Sequence, residues 1–246
     1  KLQQQGKEII NLGIGQPDFK TPRHIVDAAV SALKNGEHGY TQGKGVLKLR
    51  EAVALDIYNR RKVTVNPEDI VIVPGGKVTM WHVILMFGGK GKEIIYPNPG
   101  FPIYESVINY SGSKPIPIKL DISNNFKINF DELESSINEN TSLIIINFPS
   151  NPTGGVWSKE AILETLKIAK KNNLWVFSDE CYEQLTYDYP FDSIATLSKD
   201  KEKILTFQSC SKTYAMTGWR IGYTAGHEKV IKAMSKLQGQ STSCPN

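Results

Sequence analysis

Residues 143–182 read LIIINFPSNPTGGVWSKEAILETLKIAKKNNLWVFSDECY, and this stretch decides the architecture. Leu143–Asn147 is short, apolar and rich in β-branched residues, the composition of a strand buried on both faces. A helix-length segment, Ser158–Asn172, separates it from a second strand-length run at Leu174–Phe177. Strand, helix and strand at this spacing make a crossover unit in a parallel sheet. The alternation extends outward in both directions. Further apolar runs stand at Ile70–Val73, Glu93–Tyr96 and Ile204–Phe207, with helix-length stretches at Lys77–Phe87 and Phe101–Tyr110. The expected fold is an α/β domain whose mostly parallel sheet is covered by helices on both faces.

Nearer the N-terminus, Thr21-Pro22 reads as a cap followed by proline at the first helical position. Ile25, Val26, Ala29, Val30 and Leu33 then fall on one helical face, and Gly36 ends the segment. Another helix fits Val46–Arg61. At 246 residues the chain buries enough apolar surface to fold without disulfides or a structural metal. A net charge of +4 with no compact Lys/Arg stripe argues against a nucleic-acid partner. No apolar run reaches the ~18 residues of a membrane span, so no membrane partner is expected. The three cysteines, Cys181, Cys210 and Cys244, are scattered and make no metal spacing with the histidines. They read as reduced cysteines of a cytoplasmic protein with no metal site.

In open α/β sheets the ligand sits outside the carboxyl ends of the strands. Four such ends carry polar or glycine-rich clusters: Pro74-Gly75-Gly76-Lys77, Ser150-Asn151-Pro152-Thr153-Gly154, Ser178-Asp179-Glu180-Cys181-Tyr182, and Ser209-Cys210-Ser211-Lys212 with Arg220 eight residues on. Lys212 alone would read as a solvated surface charge. In a Ser-x-Ser-Lys loop, its amine can also form a Schiff base with an aldehyde cofactor once it loses its proton. Arg220, Ser209 and Ser211 supply donors suited to a phosphate dianion, and Gly75-Gly76-Lys77 at a helix start adds backbone N–H groups. Asp179 ends an apolar strand, where a carboxylate reads equally as partner to a pyridinium nitrogen or as a helix cap. Asn151 in Asn-Pro-Thr-Gly reads as a turn. Gly88-Gly89-Lys90-Gly91 lacks the remainder of a P-loop and is a plain loop.

Taken together, these residues resemble the class I aminotransferases of the fold-type I pyridoxal-phosphate (PLP) enzymes, within the aspartate aminotransferase-like subgroup. The resemblance runs from Gly13-Ile14-Gly15-Gln16-Pro17-Asp18-Phe19 through Tyr40, Asn98-Pro99-Gly100-Phe101-Pro102-Ile103-Tyr104 and Asn151-Pro152-Thr153-Gly154 to SCSKTYAMTGWRIGY at 209–223. It implies PLP as cofactor, with Lys212 as the Schiff-base lysine and proton shuttle. Asp179 is similar to the partner of the pyridine nitrogen, Asn151 and Tyr182 to the residues on the phenolic oxygen, and Phe101 to the stacking aromatic. Gly76, the backbone at Lys77, Ser209, Arg220 and Ser211 match the phosphate cup, although Ser211 reads equally as support for the lysine loop. Tyr40 resembles the tyrosine that reaches the phosphate of a neighbouring subunit, which implies a homodimer. Gly15 resembles a backbone contact near the substrate carboxylate.

The implied division is an N-terminal segment, residues 1–20, and a large PLP-binding domain, residues 21–246. The family's smaller C-terminal domain, with the arginine that binds the substrate α-carboxylate, has no counterpart in this sequence. The implied reaction moves an amino group between an amino acid and a 2-oxo acid, with a β-lyase or synthase of the same fold, or a non-catalytic PLP-binding fragment, as alternatives. Lys77 favours a dicarboxylic substrate such as aspartate, glutamate or 2-oxoglutarate. Phe101 stands where many aspartate-specific relatives have tryptophan, which leaves aromatic or small neutral amino acids open.

Overall fold

The structure of the chain, a computed structural model, describes residues 1–10, 13–188, 190–198 and 203–245. Its strands are β1 (Ile70–Val73), β2 (Glu93–Asn98), β3 (Lys114–Lys119), β4 (Thr141–Asn147), β5 (Trp175–Asp179), β6 (Ile204–Ser209) and β7 (Gly222–Gly226). They form one seven-stranded sheet in the order β1-β7-β6-β5-β4-β2-β3. Only β7 runs against its neighbours, pairing antiparallel with both β1 and β6. The sheet is therefore mostly parallel, as the alternation of strands and helices implies.

The helices are α1 (Arg23–Lys34), α2 (Leu47–Arg61), α3 (Gly76–Phe87), α4 (Ile103–Tyr110), α5 (Phe130–Ser135), α6 (Lys159–Lys171), α7 (Ile194–Leu197), α8 (Cys210–Thr213) and α9 (Glu228–Ser241). Side chains alternate across a strand, so β4 feeds two cores. Leu143 and Ile145 pack with Met80 and Val83 of α3, Tyr104 and Val107 of α4, and Ile231 of α9. Ile144 and Ile146 pack on the other face with Ile162 and Ile168 of α6 and Leu133 of α5. Each of Leu143, Ile144, Ile145 and Ile146 is at most 2% exposed. At about 1.5–3 kcal/mol per buried aliphatic side chain, these four residues contribute on the order of 6–12 kcal/mol before chain entropy. A third cluster joins Val53 and Ile57 of α2 to Ile70, Ile72 and Tyr223.

One expectation needs correction. Thr21 does not cap α1. The cap position is Pro22, which makes no side-chain cap bond, and the Thr21 hydroxyl instead donates to the Ala215 carbonyl at 2.6 Å. The reach to a distant loop outcompetes the local cap. The apolar face of α1 does form, but none of the helix's residues is buried, so it does not join the sheet's cores. Two strands lie outside the apolar runs noted above. β3 (Lys-Pro-Ile-Pro-Ile-Lys) holds two prolines and occupies the sheet edge, where a missing N–H is tolerated. β7 (Gly-Tyr-Thr-Ala-Gly) has little apolar bulk, yet it is enclosed between β1 and β6.

His82 on α3 gives this packing a measurable signature. It is buried, and its Nε2 lies 3.2 Å from Ser241 Oγ on α9. Burial pushes its imidazolium down from the ordinary 6.5 to about 4, so the fold holds the ring neutral. Between those values the unfolded chain binds a proton that the folded chain does not, so stability is present above the upper value and lost as pH falls through the window. Urea unfolding between about pH 7 and about pH 5 should show this loss. A His82→Gln variant should lack that component of the slope; an unchanged slope would contradict the assignment.

Candidate active site at the strand carboxyl ends

Asp179 is the last residue of β5 and is 3% exposed. Its Oδ2 accepts the Tyr104 hydroxyl at 2.6 Å, and its Oδ1 accepts the Cys181 backbone N–H at 3.2 Å. Both donors are neutral. Burial raises this carboxyl to about 6, against the pull of the two hydrogen bonds. No helix follows: residues 181–184 form turns, so the helix-cap alternative for Asp179 falls. A carboxylate can accept about four hydrogen bonds, and the spare capacity here suits a cationic N–H donor.

Neighbouring strand ends fix the surroundings. Asn147, the last residue of β4, donates Nδ2 to the Asp179 carbonyl at 3.0 Å. Its Oδ1 accepts the backbone N–H of Asn151 at 2.8 Å, which ties the Asn-Pro-Thr-Gly turn to β5. Asn151 draws the Tyr182 phenol down, but burial, the largest influence, raises it to about 12. Lys212, on the short helix α8, places Nζ 6.0 Å from the centre of the Tyr182 ring and hydrogen-bonds the Gly15 carbonyl. The Cys181 thiol is pushed up by burial first and by Asp179 second, while Lys212 draws it back. Its charge environment therefore reports both groups at close range.

A second part of the site is built for an anion. Gly75 precedes α3 with φ +85, and a Cβ added there would fall on the Arg220 guanidinium. A Cβ on Gly76 would meet the Phe207 ring at 2.8 Å. Only glycine allows this approach, and it sets the free N–H groups of α3 beside a guanidinium, two features that attract anions. Arg220 is held by donating Nη1 to the Thr217 carbonyl at 2.8 Å. Ser209 ends β6, and its hydroxyl caps α8 by accepting the Ser211 backbone N–H at 3.1 Å. Lys77, at the start of α3, holds Nζ 5.8 Å from the centre of the Phe101 ring. Phe101 meets Tyr104 edge-on at 6.1 Å, so these contacts lead back to Asp179.

The structure thus gathers Lys212, Gly15, Tyr182, Asn151, Asp179 and Phe101 with Lys77, and sets Gly75 beside Arg220 and Gly76 against Phe207. Tyr40 stands apart, 94% exposed. Sequence reasoning missed the parts of Tyr104 and Asn147. Asn147 carried a signal, as a polar residue closing a buried apolar strand. Tyr104 sits among apolar positions of α4, and only the tertiary fold brings it to Asp179.

A PLP molecule suits this donor set. The glycine cradle and guanidinium fit its phosphate, and the buried carboxylate with neutral partners fits its ring nitrogen.

The family profile described as aminotransferase class I and II matches residues 7–246. The aspartate aminotransferase of Thermotoga maritima is 36% identical over 245 residues, spanning 100% of this chain and 65% of that protein. The solved structure of Thermus thermophilus aspartate aminotransferase with maleate aligns at 32% identity with a TM-score of 0.96, covering 100% of this chain and 64% of that one. The aromatic aminotransferase of Pyrococcus horikoshii OT3 aligns at 36% identity and a TM-score of 0.92, covering 95% and 63%. The chain spans just under two thirds of the length of these relatives, and over that span it shares their fold.

Tyr104→Phe removes one donor to Asp179 and leaves the ring in place. The Asp179 carboxyl should then titrate higher than its present value of about 6, as followed by carboxyl ¹³C NMR in the cofactor-free protein. An unchanged midpoint would show that the bond does not hold the carboxylate.

Proposed function

Because this chain belongs to the class I and II aminotransferase family, we propose that it carries the cofactor site of a PLP-dependent aminotransferase that exchanges an amino group between an amino acid and a 2-oxo acid. The convergence of Lys212, the buried Asp179 and the Gly75–Arg220 cradle on one end of the sheet carries this reading. PLP, when bound, supplies an aldehyde for covalent attachment and a cationic ring that withdraws electrons from the substrate's Cα.

Each residue then has a task. Lys212 would hold the cofactor covalently, and its freed Nζ would take the Cα proton. The N–H groups of Gly76 and Lys77, with Ser209 and Arg220, would hold the phosphate. Asp179 would keep the ring nitrogen protonated, because a buried anion is stabilised most by a cation in contact with it. Asn151 and Tyr182 would hydrogen-bond the phenolic oxygen, Phe101 would pack on the ring face, and Gly15 would help to place the substrate. The exposed Tyr40 would complete the phosphate site of a second copy, giving a homodimer. Residues 21–246 would form the large domain, with residues 1–20 as a segment outside it. The free cysteines agree with a reduced, cytoplasmic setting.

On substrate, Lys77 favours a dicarboxylate: it stands at the start of α3 with its ammonium over the Phe101 ring, and the Thermus thermophilus relative was solved with maleate, a dicarboxylate. The Phe101 ring favours a second reading, an aromatic substrate, in line with the relative from Pyrococcus horikoshii.

Two outcomes test the proposal. Borohydride reduction of the PLP-loaded protein followed by peptide mapping should place the label on Lys212; label on another lysine, or none on a folded protein, defeats it. In the amino-donor half-reaction of the full-length chain, Lys77→Ala should cost aspartate about 1.5–3 kcal/mol of transition-state stabilisation and spare alanine and phenylalanine. Equal losses would remove Lys77 from substrate selection.

A further inference from the structure

α2 ends in two neighbouring arginines that reach different loops of the site. Arg60 donates Nε to Asp56 at 2.7 Å and Nη2 to the Tyr214 hydroxyl at 2.7 Å. Tyr214 lies two residues beyond Lys212. Arg61 is buried and donates Nη2 to Glu183, with Glu180 at 3.8 Å. Those two acids flank Cys181 and Tyr182, and Glu180 directly follows Asp179. Lys62, in the left-handed region at φ 55, ends the helix immediately afterwards.

Glu180 is fully buried and collects four elements of the fold on one carboxylate. It accepts Ser178 Oγ of β5 at 3.1 Å, Gln208 Nε2 of β6 at 2.8 Å, and Ser193 Oγ (2.9 Å) and the Ile194 N–H (3.1 Å) at the start of α7. Arg61 of α2 completes the set. Residues 178 and 180 share a side of the chain, which leaves Asp179 on the opposite side against Tyr104. Burial alone would lower the Arg61 guanidinium, but Glu180 and Glu183 outweigh it and hold it above its ordinary value. Arg61 thus stays charged in the interior. Apolar side chains could fill this volume without the cost of burying a guanidinium and two acids. What Arg61 adds is a link between elements: its Nη2 donates to Glu183 and stands 3.8 Å from Glu180, while its Nε and Nη1 are buried without a hydrogen-bond partner.

We propose that Arg61 is a positioning residue for the cofactor site. Through Glu180 and Glu183 it registers the segment carrying Asp179 and Tyr182 against the end of α2. Arg60 registers the Lys212 loop against the same helix end, so one turn of helix sets the spacing between Lys212 and Asp179. This rests on the PLP reading given above.

The test uses the full-length chain with PLP. Arg61→Lys keeps a buried cation but lacks the reach that sets Arg61 Nη2 between the two acids. Arg61→Met with Glu183→Gln removes one charge of each sign and leaves Glu180 with its neutral donors from Ser178, Ser193, Ile194 and Gln208. Lys114→Met, which breaks the ion pair with Glu93 at 2.9 Å between the distant strands β2 and β3, controls for general loss of stability. Cofactor Kd and the pH midpoint of the bound cofactor's visible absorbance are read for each. The double variant should bind PLP roughly tenfold more weakly and shift the midpoint. Arg61→Lys should fall between it and wild type, and Lys114→Met should change neither quantity. Wild-type affinity and midpoint in both Arg61 variants would overturn the proposal, as would an equal shift in Lys114→Met. Wild-type protein that takes up no PLP would instead defeat the cofactor reading beneath it.

Discussion

The buried carboxylate at the end of β5 is the constraint on which the site depends. An acid at this depth is tolerated only with hydrogen-bonding partners, and each partner of Asp179 comes from a different part of the chain. Tyr104 arrives from α4, the Cys181 N–H from the turn that follows, and Asn147 of β4 steadies the backbone at the same point. β4 and β5 are adjacent and in register, with Asn147 opposite Asp179. Parallel pairing thus brings two polar strand ends together with no further device.

The same geometry accounts for the anion cradle. β1 lies at one edge of the sheet, and α3 starts just beyond its carboxyl end. Arg220 leads into β7, which pairs with β1 and runs the opposite way, so Val73 stands opposite Gly222. The antiparallel strand is thus what returns an arginine to the helix start. Were β7 parallel, the residues preceding it would lie at the other end of the sheet.

Much of this was legible in the sequence because strand period, apolar runs and turn residues act locally. Five strands and the helices α3, α4 and α6 between them followed from such patterns, which also pointed to the strands' carboxyl ends for ligand chemistry. The rest depended on non-local pairing. β3 hides behind two prolines that only an edge position tolerates, and β7 is too poor in apolar bulk to signal a central strand. Thr21 looks like a helix cap until the Ala215 carbonyl, remote in sequence, takes its hydroxyl. Tyr104 and Arg61 have no local mark of function, since one lies among apolar neighbours on α4 and the other closes a polar helix. The resemblance to aminotransferases supplied roles for Lys212, Asp179, Asn151 and Arg220, and the fold adds a physical reason for their proximity.

The central claim is that Asp179 acts through its negative charge on a cationic ring, rather than as a structural acceptor. The measurement closest to it is the single-turnover amino-acid half-reaction of Asp179→Asn in the full-length chain, read beside cofactor Kd. The amide keeps the size and can still accept from Tyr104, but it cannot hold a ring nitrogen protonated. The account predicts a rate reduced roughly 100-fold or more, with Kd changed far less because the phosphate cradle is untouched. A near-wild-type rate in the Asn variant would contradict it.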